Sequence, residues 1–467
     1  MPHRARTKPT MAGHKVRVST HVTASIPPES ASGPRHRKQF SRGWKAGYEQ
    51  GVRLGQEAFA SIFEGTSIII PTFNSRELLM NCIDSIEANT PIPYEIIVVD
   101  NASTDGTVEA LRRRRGGSIR VGVHPANLGY ARAVNTGLMM SKGQNIVWLN
   151  PDMLVTEYWL NNMLLCLESR PDIGAVGPVT NNIEGPQQRE VSYNTVSEMW
   201  TFAAKYNQKD SRRWALTDRL ASFCVLMKRE TLEKTGYFDE DYRLRNAEND
   251  DWMIRLRYLG RVMVMAGDTF IHHVTSETGG APPGFEEGQI NEENSRLLPD
   301  KWGDPHKRLP TLGNHGMLNQ ALKSADYFPA HILVSDLRGR NYWLEYGIKR
   351  PVVNYIPHMD GLPVPVQMSM LDLRQLVMGR PIRAEELRLR LGAGKLQNEG
   401  REGALYRLSD GRLVQVQHNK YREFITGYAA DSWGLTDRFL DEVPEEIQNL
   451  QEGLPILPRN CLTSAHL

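Results

Sequence analysis

At 467 residues, with 40% apolar and 24% charged residues, the chain has the composition of a soluble globular protein of two or three domains. Its net charge of +2 is uneven, because residues 1–45 hold ten Lys/Arg against one Glu, about +9, leaving about −7 for the rest. There is no run of eighteen apolar residues and no apolar stretch near the N-terminus, so neither a membrane span nor a signal peptide is expected. The four cysteines (Cys82, Cys166, Cys224, Cys461) form no C-x-x-C pair, which argues against a disulfide framework or a cysteine zinc site and fits a reducing cytoplasm.

In chain order, residues 1–39 form a basic tail with few large apolar groups, expected to be a solvated, disordered extension. No nucleic-acid partner is expected; peripheral contact with a membrane or a protein is the role such a tail would play. Residues 40–64 place glycine at 43, 47, 51 and 55 and read as a linker or a helix that needs a packing partner. "TSIII" (66–70) predicts a buried strand, followed by a helix from Ser75. "YEIIVVD" (94–100) predicts a second strand, then a helix capped by Ser103 or Thr104. A third strand is expected at 119–124, a helix over "GYARAVNTGLMMS", and a fourth strand at 145–150. Continuous apolar strands alternating with amphipathic helices imply an α/β fold with a mostly parallel sheet flanked by helices. Arg112 to Arg115 read as the solvated end of a helix.

The first domain is expected over 65–310, with a linker at 311–330. Beyond it "NYWLEYGIKRPV…GLPVPVQMSMLDLRQLVMGRPI" lines up with "RLVQVQHNKYREFI…GLTDRFLDEVPEEIQNLQEGLPI". Each copy reads strand, basic turn, strand, Gly-Leu, helical stretch and a closing Gly-x-Pro-Ile. The region is therefore expected to be a smaller α+β pair of repeats, 331–385 and 386–460, for binding, assembly or simply structure.

Ligands of such sheets bind beyond the carboxyl ends of the strands. Three of those ends carry polar chemistry: Pro71-Thr72-Phe73-Asn74, Asp100-Asn101-Ala102-Ser103 and Asn150-Pro151-Asp152. No G-x-G-x-x-G follows the first strand, and no P-loop occurs, so a nucleotide must be held another way. A carboxylate at a strand end, Asp100, suits ribose hydroxyls or uracil-type N–H donors. A second, Asp152, suits a divalent cation that neutralises a diphosphate. Taken alone, Asn-Pro-Asp is also an ordinary turn.

Residues 66–280 resemble family 2 glycosyltransferases of the GT-A, Rossmann-like fold. The resemblance rests on "SIIIPTFNSRELL", "EIIVVDNASTDGT", "NLGYARAVNTGL", "IVWLNPDMLV", "GYFDEDY", "NAENDDWMIRLRYLG" and "FIHHVTSETG", in the family's order. It implies transfer of a sugar from a nucleotide-sugar donor, UDP- or dTDP-linked, with inversion and with Mn²⁺ or Mg²⁺. The acceptor would be a cell-surface glycan, glycolipid or protein, reached from the cytoplasmic side, with peripheral contact at the inner membrane face. By resemblance, Pro71, Thr72, Asn74 and Asp100 face the nucleoside, and Asn127, Gly129 and Asn135 shape the donor side. Asp152 matches the last acid of the family's D-x-D motif, while its first acid is Asn150 here.

The family places its base at an acidic helix start, which here reads Glu248-Asn249-Asp250-Asp251. Asn249 cannot take a proton, so the base is Asp250 or Glu248, with Asp250 preferred; Asp251 with Arg255 is an ordinary i,i+4 pair. His272 and His273 are candidates for the metal shell, only one of which can point inward from a strand. Residues 181–222 lie where the family builds its acceptor side, with Trp200 and Trp214 as stacking candidates. Two alternatives compete: a nucleotidyltransferase, which lacks its glycine-rich turn here, and a catalytically weak glycan- or partner-binding protein, favoured by Asn150 and Asn249.

Overall fold

The computed structural model describes residues 61–114, 119–242, 247–274, 296–356, 362–392 and 402–463. The basic tail, nearly all of the glycine-periodic stretch, Arg115 and the end of "FIHHVTSETG" lie outside them. Strand β1 (Phe63–Thr72) is followed by helix α1 (Arg76–Asn89), β2 (Tyr94–Asp100), α2 (Thr107–Arg113), β3 (Ile119–Val123), α3 (Tyr130–Met140) and β4 (Gly143–Leu149). After a two-residue strand β5 (Met153–Leu154) come α4 (Trp159–Glu168), β6 (Ile173–Val179), α5 (Val196–Tyr206), β7 (Trp214–Thr217), β8 (Cys224–Lys228) and α6 (Arg229–Thr235). Helix α7 (Ala247–Tyr258), β9 (Val262–Phe270) and β10 (His272–His273) complete this part.

Eight strands form one sheet in the order β3-β2-β1-β4-β8-β6-β9-β7. β3, β2, β1 and β4 are parallel, and β8 and β7 run against their neighbours. The β-branched run Ile68-Ile69-Ile70 is fully buried because helices cover both faces. Alternate residues divide between two cores, with Ile68 and Ile70 beside α1 and α4, and Ile69 beside α3 and α7. Helix α3 lies so close to β1 that a Cβ at Gly137 would sit 2.2 Å from Ile69 Cγ2. The strand order reverses between β1 and β4, so a crevice opens beyond their carboxyl ends.

The helix after β2 starts at Thr107 with Gly106 as its cap (φ 84°), not at Ser103 or Thr104. Those two residues instead brace the β1 loop: Asn74 N donates to Ser103 Oγ (2.8 Å), and Thr104 N donates to Asn74 Oδ1 (2.8 Å). Short-range capping chemistry was outcompeted there by a hydrogen-bonded loop pair.

The C-terminal strands form two further sheets. β11 (Ile332–Ser335), β12 (Asn341–Glu345), β13 (Ile348–Val353), β14 (Val366–Gln367), β15 (Val377–Met378) and β16 (Ile382–Arg383) belong to the first; β17 (Leu405–Arg407), β18 (Leu413–Gln417), β19 (Lys420–Glu423) and β20 (Gln451–Glu452) to the second. In the first, Ile348 pairs with Val377 and Val352 with Ile382; in the second, Lys420 pairs with Gln451 and Phe424 with Ile456. Gly379 N donates to Lys349 O (2.9 Å), as Gly453 N donates to Tyr421 O (2.8 Å). Residues 311–330 bury Leu312, Leu322, Ala325 and Tyr327 in a core shared with Ile254, Tyr258 and Leu259 of the first part and with Trp433 and Ile456 of the last.

Candidate active site

Three chain segments meet beyond β1, β2 and β4. Thr72 pairs in register with Asp100, and both are buried. Asp100 Oδ2 accepts from Ser103 N (3.0 Å), while Asp100 Oδ1 and Thr72 Oγ1 are buried with no hydrogen-bond partner among the described residues. A buried acceptor left unsatisfied costs about 1–3 kcal/mol, so this pair is set for a ligand donor.

Asn127 and Gly129 shape the next loop through a residue that sequence reasoning missed. Asn101 Nδ2 donates to Asn127 Oδ1 (2.7 Å) and Gly129 O (3.1 Å), and its Oδ1 accepts from Leu128 N (2.9 Å). Gly129 takes φ 89° and leads into α3. The signal for Asn101 was its place directly after Asp100. Asn135 has a different job from the one expected. It is fully buried, and its amide bonds Phe238 O, Phe238 N and Glu240 Oε1, each at 2.9 Å, tying α3 to the loop after α6. Asn74 is exposed, with its side chain engaged in the loop brace described above.

At the end of β4, Asn150 N donates to Phe223 O (2.8 Å), and Asn150 Oδ1 accepts from Tyr130 OH (3.2 Å). β5 then pairs antiparallel with β10, setting Met153 opposite His273. This pairing brings His273 Nε2 to 3.3 Å from Asp152 Oδ2. His273 Nδ1 lies 2.5 Å from the Asn182 carbonyl oxygen, which only accepts, so Nδ1 carries the proton and Nε2 faces Asp152. Burial opposes protonation of His273, but the bond to Asp152 and its charge outweigh this and raise its pKa. His272 points the other way, with Nδ1 2.7 Å from Tyr193 OH, and burial lowers its pKa.

A divalent cation fits Asp152 and His273. Asp152 Oδ1 is buried without a partner among the described residues, and the His273 ring that presents Nε2 is held by the Asn182 carbonyl at Nδ1. No group of three or more His, Cys, Asp or Glu that could hold a metal occurs among the described residues. A cation there would complete its shell with donor phosphates and water, as Mg²⁺ commonly does.

Helix α7 is carried to this edge by Trp252, which packs edge-on against Trp148 of β4 (centroids 5.4 Å apart). In its first turn, Glu248 and Asn249 are buried, and Asn249 Nδ2 donates to Glu248 Oε1 (2.9 Å). Asp250 is partly exposed, and Arg219 Nε donates to its Oδ1 (2.7 Å). Arg219 stands in the same 218–223 loop whose Phe223 carbonyl holds Asn150, so one loop touches both ends of the site. Asp251 faces inward. It accepts from Arg255 Nε (3.0 Å), Trp302 Nε1 (2.8 Å) and Lys301 Nζ (2.6 Å), and Lys301 also bonds Asp239 (2.5 Å), all in a buried network. Trp200 lies on α5, and Trp214 opens edge strand β7 opposite Ala266.

Residues 67–236 match the family model "Glycosyl transferase family 2". That segment is similar to the family 2 glycosyltransferases. Among curated relatives, the chain is 30% identical over 227 residues to O-antigen biosynthesis protein RfbC of Myxococcus xanthus, covering 44% of this chain and 17% of that protein. It is 25% identical over 244 residues to N-acetylglucosaminyl-diphospho-decaprenol L-rhamnosyltransferase of Mycobacterium tuberculosis, covering 46% and 78%. The chain thus spans well under two thirds of the first of these. A solved mannosyltransferase from Pyrobaculum calidifontis, in complex with GDP-Man and Mn²⁺, aligns at TM-score 0.36 and 23% identity over 55% of this chain and 77% of that one. The matched segment ends before α7 and His273.

Proposed function

We propose that this chain transfers a sugar from a UDP- or dTDP-linked donor to a hydroxyl of a cell-surface glycan, glycolipid or protein, with inversion at the anomeric carbon. The observation that carries the reading is the placement of two carboxylates with unsatisfied buried oxygens, Asp100 and Asp152, beyond β2 and β4 on either side of β1, in a segment similar to family 2 glycosyltransferases. Asp100 and Thr72 receive the nucleoside. Pro71, Asn101, Asn127 and Gly129 hold the walls, with Asn74 and Asn135 fixing the loops behind them. Asp152 and His273 would hold Mn²⁺ or Mg²⁺, which would supply positive charge against the donor diphosphate. Asn150 orients Tyr130 and the strand tip.

In the displacement, the acceptor oxygen bonds to the anomeric carbon as the bond to the phosphate oxygen breaks, and the nucleoside diphosphate leaves with the electron pair. The acceptor proton passes to a carboxylate. Asp250 is our choice, because it is the partly exposed acid and is held in place by Arg219; Glu248, buried beside it, is the second candidate.

We read residues 65–310 as the catalytic domain and 331–385 and 386–460 as two copies of one unit; the matching registers at 348/377 and 420/451 support that reading. Three buried thiols suit a reducing compartment. No helix among the described residues is long and apolar enough to cross a membrane.

Nucleotide release from UDP-, dTDP- and GDP-sugars, with Mn²⁺ or EDTA, tests the proposal. Metal-dependent release from one nucleotide class, lost in Asp152→Ala, is the expected result. Asp250→Asn should lower transfer about 10²-fold or more, the scale of general-base catalysis. A variant as active as wild type moves the base to Glu248. Asn150 and Asn249 favour a second reading, a binding protein on the same fold; it prevails if no donor binds.

A further inference from the structure

The two C-terminal hairpins keep the same scaffold. Arg350 donates to Glu345 (2.9 Å) and Arg380 O (2.9 Å) in one; Arg422 donates to Gln417 (2.6 Å) and Leu454 O (2.7 Å) at the matching positions of the other. Both tight turns use positive φ: Tyr346 (52°) and Gly347 (72°), then His418 (54°) and Asn419 (56°). The turn quartets differ at every position, Glu345-Tyr346-Gly347-Ile348 against Gln417-His418-Asn419-Lys420. Those two turns face one another across a cleft of about 470 Å³, a volume typical of small-ligand sites.

We propose that this cleft is a glycan-binding site, separate from the donor site, that holds a neutral pyranose against Tyr346. The choice of a glycan rests on the transferase reading; the chemistry of the cleft supports it independently. Tyr346 is 43% exposed yet held in place by edge contacts to His418 (5.7 Å) and to His331 (5.4 Å), which itself stacks on Trp343 (5.8 Å). A fixed, half-exposed tyrosine ring offers an apolar face to the C–H side of a sugar. Around it, the Tyr346 hydroxyl, the His418 imidazole and the Lys420 ammonium make no side-chain hydrogen bond among the described residues and can serve hydroxyls; Phe328 and Leu454 supply apolar wall.

An anionic ligand fits less well. Arg422 has all five N–H groups engaged, by Gln417 Oε1 and by the carbonyls of Leu454, Phe328, Asp326 and Pro455, so it offers nothing to a phosphate. Asp326 and Glu345 also line the cleft and offset the remaining cation, Lys420. The turn residues that distinguish the two copies are thus the ones that build the cleft.

The test is binding of a panel of neutral oligosaccharides (mannotetraose, chitotetraose, maltotetraose and a galacto-oligosaccharide) to the full chain, by calorimetry and saturation-transfer NMR. Wild type, Tyr346→Ala and Asp152→Ala are compared, with inorganic phosphate and UDP as separate probes. The expected result is binding of at least one glycan, equal in Asp152→Ala and weakened about five- to tenfold in Tyr346→Ala, the scale of one aromatic contact. The melting temperature and donor hydrolysis of Tyr346→Ala should match wild type, and His418→Ala should weaken binding in the same direction. Three results overturn the proposal: no panel member binds, Tyr346→Ala binds as wild type does, or phosphate displaces the glycan. If no nucleotide-sugar binds but Tyr346-dependent glycan binding is present, the transferase reading falls and the cleft stands.

Discussion

His272 and His273 show how strongly one strand position matters. They are adjacent, yet one meets Asp152 and the other meets Tyr193, because successive side chains leave a strand on opposite faces. His273→Gln should therefore weaken Mn²⁺ stimulation of donor hydrolysis by about tenfold or more, whereas His272→Gln should leave the Mn²⁺ titration midpoint unchanged. Equal effects would refute the assignment. A second histidine yields a pH prediction. His331 is buried, which lowers its pKa from 6.5 to about 4. Between those values the unfolded chain holds the extra proton, so stability falls as pH drops from 6.5 towards 4, by roughly 3 kcal/mol in all. Urea unfolding across this range should show a shallower pH dependence in His331→Gln than in wild type.

Helix α7 is placed by contacts on its inner face, not by its propensity. Lys301, Asp239, Asp251 and Arg255 form a buried ionic cluster directly behind Glu248 and Asp250. Removing one member leaves buried charge unpaired, so Lys301→Met should cost about 3–5 kcal/mol, read as a lower urea midpoint. Breaking an exposed pair such as Lys307–Asp304 should leave that midpoint nearly unchanged. The four parallel strands were legible in the chain, "YEIIVVD" to the residue, whereas the first strand runs from Phe63 to Thr72, twice the length expected at 66–70. The network around Asp251 was only half legible: Arg255 is one turn away, but Lys301 and Trp302 come fifty residues later and no local pattern links them.

The expected division at 311–330 meets a continuous core. Ile254 and Tyr258 of α7 share buried contacts with Tyr327, Leu373 and Trp433, and Ile62–Leu467 forms one compact unit. A chain ending at residue 310 should therefore expose Trp302, Tyr258 and Leu309, lose a cooperative unfolding transition and lose donor hydrolysis. A soluble, cooperatively melting 61–310 fragment would show instead that the first part folds alone.

Apolar periodicity and turn residues, which are local in the chain, were enough to announce the α/β sheet and the strand ends that carry Asp100 and Asp152; the acidic start of α7 was reached through the family resemblance. Pairings between distant segments decided the rest. β5 against β10 selected His273 over His272, and the 218–223 loop joined Asn150 to Asp250. The fold turned Asn135 from a pocket residue into a loop anchor, and it brought two hairpin turns seventy-two residues apart to one cleft. The physical reason is that periodicity records which face of an element is buried, whereas a site depends on which distant faces meet.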